Sequence, residues 1–283
     1  MTANMALALF ASGLFAQQTE RIAQGNRALD QGRPEDAATD FARALSAFGQ
    51  AGASGQDLVH LRITLATAYM EAGEYRAAEA ALLKVQKTAG EWPDGISRAE
   101  LLNAWSALHL KMGRFPEAEA ELREALRIVG ARHLTGDLPP TVLHNLAAVE
   151  MRTGRYREAL GDEREAMRHL EKTLAANHPT LIRGWASLAA LQYMMGQPEE
   201  ARGAIARAVR SAEITYGPAH PLLADLLMSD AVVLDRLKLK REARQARNRA
   251  QRILGSQARP AQEPATWNVR QGPAEGQVYL RSK

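Results

Sequence analysis

One period recurs along most of the 283-residue chain and limits what it can fold into. A glycine, or a lysine in the last instance, recurs at intervals of 41, 40, 41, 42 and 42 residues. An alanine follows each of these anchors after five residues, and an alanine or valine follows after twelve. Such a period indicates one supersecondary unit that buries its apolar face by stacking on its neighbours. The six anchors are Gly32, Gly73, Gly113, Gly154, Gly196 and Lys238.

Each unit has the pattern of two helices joined at the anchor. Before the anchor, segments such as Thr141–Met151 have apolar residues at three- and four-residue spacing, which is typical of a helix. Glycine ends that helix because it adopts the left-handed conformation at little cost. Pro116 then suits the start of the second helix, whose small alanines allow close packing. Aromatic residues are only 5% of the chain, which also favours helices over sheets. The sequence predicts an all-α fold of six helix pairs.

The segments GRFPEAEAELREAL, GRYREALGDEREAM and GEYRAAEAALLKV resemble the tetratricopeptide repeat, from Thr19 to about Leu254. The period of 40 to 42 residues exceeds the usual length of about 34 and resembles the kinesin light chain class. In that class a His-Pro pair commonly opens the first helix, as His178-Pro179 and His220-Pro221 would here. The resemblance implies a right-handed α-α superhelix, or solenoid, of about six repeats. We interpret both histidines as helix-entry residues rather than metal ligands or catalytic groups.

The two ends of the chain differ from the repeats. Met5–Ala16 is an uncharged apolar run, too short to span a bilayer and typical of a secretory signal. We expect residues 1–16 to be a signal peptide, residues 17–254 to be the array, and residues 255–283 to be a disordered tail. The alternatives are an N-terminal helix that caps the fold and a short C-terminal hairpin or docking peptide. Export to the periplasm or the exterior follows from the signal, and a cytoplasmic location follows without it.

The search for catalytic chemistry finds no constellation. The chain has no G-x-S-x-G, H-E-x-x-H, Walker or dinucleotide motif. It has no cysteine, which excludes disulfides, thiol catalysis and cysteine-ligated zinc. Its seven histidines are scattered, and Glu117, Glu119 and Glu121 are interpreted as solvated residues of a second helix. We therefore expect a protein that is not an enzyme and that needs no cofactor or metal.

The resemblance implies a concave groove, lined by the first helices, that captures peptides. The family's groove positions fall thirteen, ten, six, three and two residues before each anchor. They give a mixed wall of methionines, a tyrosine and cations, with small alanines that leave room for a ligand backbone. The family's Lys/Asn arrangement for a C-terminal carboxylate is not reproduced across adjacent units, so chaperone-tail binding is not expected. The expected partner-binding residues are His60, Met70, Asn103, Lys111, His144, Met151, Arg152, Arg183, Tyr193, Met194 and Arg236.

Charge on this wall allows two interpretations. Four cations on successive first helices would form a ladder for an acidic peptide, because neighbouring helices pack about 8 to 10 Å apart. Alternatively, they only balance Glu71, Glu100, Asp225 and Asp235 on the same wall. The four cations are Lys111, Arg152, Arg183 and Arg236.

The function favoured by the sequence is a scaffold or adaptor that binds a protein or peptide partner. A cytoplasmic regulatory or sensor module that acts through a partner is the alternative. The Ala- and Arg-rich character favours a bacterial protein. The last helix, Arg236–Leu254, holds eight Lys or Arg and one Glu. We interpret it as a solvated cap, with a nucleic-acid or anionic-lipid surface as the alternative. Because it lacks interleaved aromatics and any known DNA-binding module, we expect no nucleic-acid partner.

Overall fold

The computed structural model describes residues 3–50, 56–88, 95–131 and 138–256, and every regular element in these ranges is an α-helix. The twelve helices in these ranges follow one another without an intervening strand, which confirms the predicted all-α fold. They belong to two compact units, residues 1–112 and residues 113–283. The tail predicted for residues 255–283 lies outside the described residues after Ser256.

The first unit contains five helices, and α2 and α4 each pack between two first helices of the repeats. Phe41 of α2 is fully buried, and a Cβ on Gly25 would lie only 2.6 Å from its ring. That close approach explains why the first repeat has glycine where the third repeat has serine and the other four have alanine. The helices are α1 (Ala3–Asp30), α2 (Pro34–Gln50), α3 (Gln56–Glu71), α4 (Tyr75–Thr88) and α5 (Gly95–Lys111).

The second unit contains seven helices, each packed against the next in chain order. The first helices of adjacent repeats also touch, as α7 contacts α9. One continuous core cluster runs from Ala147 to Ile253. The helices are α6 (Phe115–Ala131), α7 (Leu138–Arg152), α8 (Tyr156–Thr173), α9 (Pro179–Met194), α10 (Pro198–Tyr216), α11 (Pro221–Arg236) and α12 (Lys240–Ser256).

The anchors end the first helices as the sequence predicts. All five anchor glycines have positive φ, between 68° and 82°. At four of them the next residue's N–H bonds the carbonyl five residues back, as when Arg155 N–H donates to Glu150 O at 2.8 Å. Lys238 keeps the same conformation, with φ of 62°, although it is not glycine. The turn geometry is therefore common to all six repeats.

The predicted packing seam is also confirmed. The alanines five residues after the anchors are all completely buried. The residues twelve after the anchors are likewise 0% exposed. A larger side chain at these points would push adjacent helices apart, because interiors are close-packed. The alanines are Ala37, Ala78, Ala118, Ala159, Ala201 and Ala243.

The two His-Pro pairs open helices, as the resemblance implies. His178 Nδ1 accepts a hydrogen bond from the Thr180 backbone N–H at 3.2 Å, at the start of α9. His220 Nδ1 accepts one from Leu222 N–H, also at 3.2 Å, at the start of α11. Each ring satisfies a helix-end donor that has no partner within the helix.

At the N-terminus, α1 runs through the predicted cleavage point after Ala16 without interruption. A chain cleaved after Ala16 would still retain the second half of this helix. Signal-peptide cleavage at this point therefore stays a prediction. Among the described residues, no helix is both long enough and apolar enough to cross a membrane.

Candidate partner-binding surface

In the first unit, the groove positions of α3 and α5 pair with one another. His60 Nε2 lies 2.7 Å from Glu100 Oε2, thirteen residues before the respective anchors. At the opposite end of the same helices, Lys111 Nζ lies 3.6 Å from Glu71 Oε2. Equivalent positions of successive repeats thus place a basic side chain beside an acidic one. This wall fits the interpretation in which cations balance neighbouring acids.

Two of the predicted partner-binding residues lie in the core. Met70 is 4% exposed and Met151 is 1% exposed. Each occupies the last turn of a first helix and belongs to the core cluster that contains its own second helix. Their side chains offer no surface to a ligand, so the prediction is wrong for both. Asn103, on the same wall as Met70, is half-buried.

In the second unit, α9 and α11 present cations that have no acidic partner. Arg183 and Arg236 are exposed, and neither forms an ion pair or hydrogen bond with any residue that the structure describes. Tyr193 and Met194 lie between these two arginines in the sequence, and both are half-buried. Met228 of α11 is half-buried too. We call these five residues the α9–α11 wall. It combines positive charge with accessible apolar surface.

The electrostatics around Tyr193 show how the wall is arranged. Burial raises the pKa of the Tyr193 hydroxyl, while the positive charge of Arg236 lowers it. Asp235 would be the natural partner of Arg236, but it is bonded to Arg247 of α12 instead. The Arg236 guanidinium therefore stays near Tyr193 without a carboxylate of its own.

His144, another predicted contact residue, is turned toward the inside of the second unit. Its Nδ1 lies 2.8 Å from Glu163 Oε2, and Glu163 is completely buried. A Cβ on Gly184 would lie 3.3 Å from Glu163 Oε1 and would collide with Met167, so glycine makes room for this pair. Glu163 stands nine residues after its anchor, where the last repeat has Arg247 and the other four have Phe, Leu or Ile. A glutamate at a position that is mostly apolar was the sequence signal for an internal polar pair.

Arg152 has a partner as well. Its guanidinium lies 5.6 Å from the centre of the Phe115 ring, within the range of a cation–π contact. Its side chain is half-buried rather than extended into solvent. Of the four cations in the predicted ladder, only Arg183 and Arg236 are therefore exposed without an internal partner. The ladder itself stays a prediction.

A carboxyl cluster between α6, α7 and α8 was missed by sequence reasoning. Arg155 binds both oxygens of Glu119 at 2.9 and 2.7 Å, so Glu119 is not the solvated residue that was expected. Burial and, secondly, the charge of Asp162 raise the pKa of Glu150 to about 7, while Arg155 opposes this. Burial also raises the pKa of Asp162. No single position of the repeat pattern predicts this cluster, because its members come from three helices.

The described residues contain no group of three or more His, Asp or Glu side chains arranged to hold a metal ion. Of the eleven predicted contact residues, four lie on α9 or α11 and belong to the α9–α11 wall. His60 and Lys111 are on the first unit's wall with acidic partners. The four are Arg183, Tyr193, Met194 and Arg236.

Two family models match the chain, and both describe the tetratricopeptide repeat. They cover residues 28–95 and 139–214, together about half of the chain. The fold and the surface thus define a class of protein, a helical repeat solenoid with a mixed apolar and cationic wall. The chain belongs to the tetratricopeptide repeat family. Among curated protein sequences, no significant match is found.

Solved structures share the fold at low sequence identity. BtubC (BKLC) from P. vanneervenii is 19% identical with a TM-score of 0.61, covering 88% of this chain and 97% of that one. A Podosopora anserina protein described as a kinesin light chain with nearly identical TPR-like repeats is 21% identical, with a TM-score of 0.56 and coverages of 70% and 95%. The Rap conjugation gene regulator of plasmid pLS20, in complex with the Phr* peptide, is 17% identical, with a TM-score of 0.63 and coverages of 90% and 80%. These similarities confirm the fold.

Proposed function

We propose that this protein is a noncatalytic scaffold that binds an acidic segment of a protein or peptide partner along the α9–α11 wall. One observation carries the proposal. Arg183 and Arg236 are exposed and have no carboxylate partner among the described residues, although Asp235 is adjacent in sequence to Arg236. An arrangement that only balanced charge would have paired them, as it does in the first unit.

The chemistry of the wall favours an extended ligand. Arg183 lies in the first half of α9 and Arg236 is the last residue of α11, so the two residues occupy opposite ends of their helices. Carboxylates of the partner would meet these ends, and the half-buried Tyr193, Met194 and Met228 would take its apolar side chains. Charge on such a wall accelerates and orients association and makes it sensitive to salt.

The similarity to the Rap regulator supports a peptide as the ligand. That protein was solved in complex with the Phr* peptide, and this chain shares its fold over 90% of its own length. The inference rests on the shared architecture, since an identity of 17% carries no residue roles.

We further propose that the scaffold acts outside the cytoplasm of a bacterium, after removal of residues 1–16. The apolar run Met5–Ala16 supports this. A cytoplasmic regulatory module is the competing assignment. Sequencing the N-terminus of the protein purified from its own host separates them, because a chain that starts at Gln17 requires export and an intact Met1 contradicts it.

Site-directed photocrosslinking in the native host tests the binding wall. A photoreactive phenylalanine analogue replaces Tyr193, and the matched control carries it at Ile214, which is 73% exposed on α10. We expect a discrete partner to crosslink at position 193, with its contact segment enriched in Asp and Glu. Mass spectrometry identifies that segment, which is then synthesised for affinity measurements.

Equal crosslinking from positions 193 and 214 would contradict a specific wall. A captured segment without acidic residues would contradict the role given to Arg183 and Arg236, even if the wall itself binds.

A further inference from the structure

The outward face of α12 carries a cluster of cations distinct from the α9–α11 wall. At 3.6 residues per turn, these side chains share a face of roughly 140° that extends over about 18 Å. The neutral residues on this face are Gln245, Asn248, Gln251 and Gly255, and it contains no carboxylate. All four cations are exposed, and none forms an ion pair with a described residue. We call these four the α12 face: Lys240, Arg241, Arg244 and Arg252.

The other charged residues of α12 behave differently, because they tie the helix to the preceding repeat. Arg249 bonds Glu213 of α10, and Arg247 bonds Asp235 of α11. Arg202 of α10 lies 2.7 Å from Glu242. Cations on the flanks of the helix thus have acidic partners, whereas cations on its outer face have none in the described part of the chain.

The sequence concentrates charge at this end of the chain. Residues 240–283 hold ten of the 36 Lys and Arg residues but only three of the 32 acidic residues. The formal net charge of the whole chain is +4, so the remainder has a slightly negative balance. A solvated cap needs polar residues on its outer face, but it does not need charges of a single sign. The bias of the α12 face points to a polyanionic surface.

We propose that the α12 face docks the protein on an anionic phospholipid membrane. An anionic membrane is a flat surface with many charges, and it can contact cations that are spread over a broad convex face. Each basic residue then contributes to the attraction independently. Leu254, 41% exposed at the rim of the face, adds apolar contact at the headgroup level. The interaction is peripheral, and the opposite side of α12 remains packed in the core through Ala243, Ala246 and Ala250.

Nucleic acid is the main competing polyanion, and the surroundings of α12 disfavour it. The major groove is about 12 Å wide and a helix with its side chains is about 10 to 12 Å across, so the groove leaves little room beside a helix. The flanks of α12 are occupied by its bonds to α10 and α11. The α12 face also lacks an aromatic residue on which a base would stack.

Cosedimentation of the full chain with vesicles tests the proposal. The vesicles contain phosphatidylcholine alone or with about 30% phosphatidylglycerol, an anionic lipid of the kind that attracts basic surfaces. We expect binding only to the anionic vesicles, weakened by added salt. The test variant combines Arg241→Gln, Arg244→Gln and Arg252→Gln. It should lower the partition coefficient about a hundredfold, since each cation contributes about fivefold.

The matched control removes three exposed cations from α4 of the first unit, with Arg76→Gln, Lys84→Gln and Lys87→Gln. It changes the net charge equally, so unchanged vesicle binding by this variant supports a local face. Circular dichroism checks that both variants remain helical. An equal loss in the control, binding to neutral vesicles, or tighter binding of the wild type to duplex DNA or RNA than to anionic vesicles would each overturn the proposal.

Discussion

The first-helix walls of the two units use similar residues for different purposes. In the first unit, His60 and Lys111 pair with acids on the neighbouring first helix. In the second unit, Arg183 and Arg236 are exposed and have no such partner among the residues that the structure describes. Where the charged residues of a wall pair with one another, they hold adjacent repeats together. Where they remain unpaired, their charge is available to a ligand.

The same contrast holds for two His–Glu pairs. His60–Glu100 joins exposed positions, with side chains 48% and 24% accessible. His144–Glu163 joins positions that are 16% and 1% accessible, in the interior of the second unit. Identical residue types thus contribute to stability according to burial, because a buried polar group that loses its partner cannot turn to water.

The largest expected effect is loss of the buried pair. His144→Ala leaves the Glu163 carboxyl group without a partner in the core, so we expect the free energy of unfolding to fall by about 3 to 5 kcal/mol. His60→Ala should cost less than about 1 kcal/mol, because exposed pairs contribute little. Urea denaturation of both variants measures the two values. Comparable losses would remove the distinction between the two pairs.

The second expected effect is a pH dependence that belongs to the second unit. The folded-state pKa of Glu150 is raised to about 7, above the ordinary value near 4.5. The folded protein therefore binds more protons than the unfolded chain between these values, and its stability falls as pH rises through that window. We expect Glu150→Gln to abolish about 1 to 3 kcal/mol of this fall and to stabilise the protein at pH 8 relative to wild type.

Unfolding midpoints measured from pH 4.5 to pH 8 provide the check. The first unit has Tyr69 and His109 at the offset of Glu150, so no equivalent buried carboxyl group contributes there. Burial also raises the pKa of Asp230, to about 6, so this residue makes stability change with pH in the same direction. The variant Asp230→Asn separates the contribution of Asp230 from that of Glu150. An unchanged pH profile in Glu150→Gln would refute the assignment.

The third effect concerns affinity for the crosslinked acidic segment and rests on the proposed function. Combining Arg183→Ala with Arg236→Ala should weaken binding about tenfold and flatten its salt dependence, since two unpaired cations are lost. Combining His60→Ala with Lys111→Ala should leave affinity within about twofold, because those side chains pair internally. Isothermal titration of both double variants decides between the walls, and the reverse ranking would assign binding to the first unit.

The smallest effect is at the repeat anchors. Lys238 adopts φ of 62°, which costs a residue with a Cβ about 1 kcal/mol, whereas Gly196 adopts φ of 74° freely. Lys238→Gly should therefore stabilise the protein by about 0.5 kcal/mol, after the greater entropy of unfolded glycine is subtracted. Gly196→Ala should destabilise it by about 1 kcal/mol. Chemical denaturation resolves both signs, and a loss of stability in Lys238→Gly would show that its side chain is needed.

Much of the fold was predictable because the repeat makes each observation six times. A glycine at one position is ambiguous, but an anchor followed by alanine after five residues at a constant period specifies a turn and a seam. The histidines of the two His-Pro pairs were also interpreted correctly, since capping depends on neighbours two residues away. The candidate surface was less predictable. Met70 and Met151 were assigned to the groove by their offset, and their rotation toward the second helices placed them in the core.

The sequence by itself determined the helix pairs, their joints and the buried alanine seam, because these depend on local propensity and on a regular apolar spacing. Only the tertiary structure decided which charged residues pair. Asp235 bonds Arg247 rather than its neighbour Arg236, and Glu119 bonds Arg155 across 36 residues. Partner choice depends on distances between side chains of different helices. A repeat pattern fixes the register of those helices but not the direction in which each long side chain extends. Only the tertiary structure therefore shows that the cations of the α9–α11 wall have no acidic partner among the described residues.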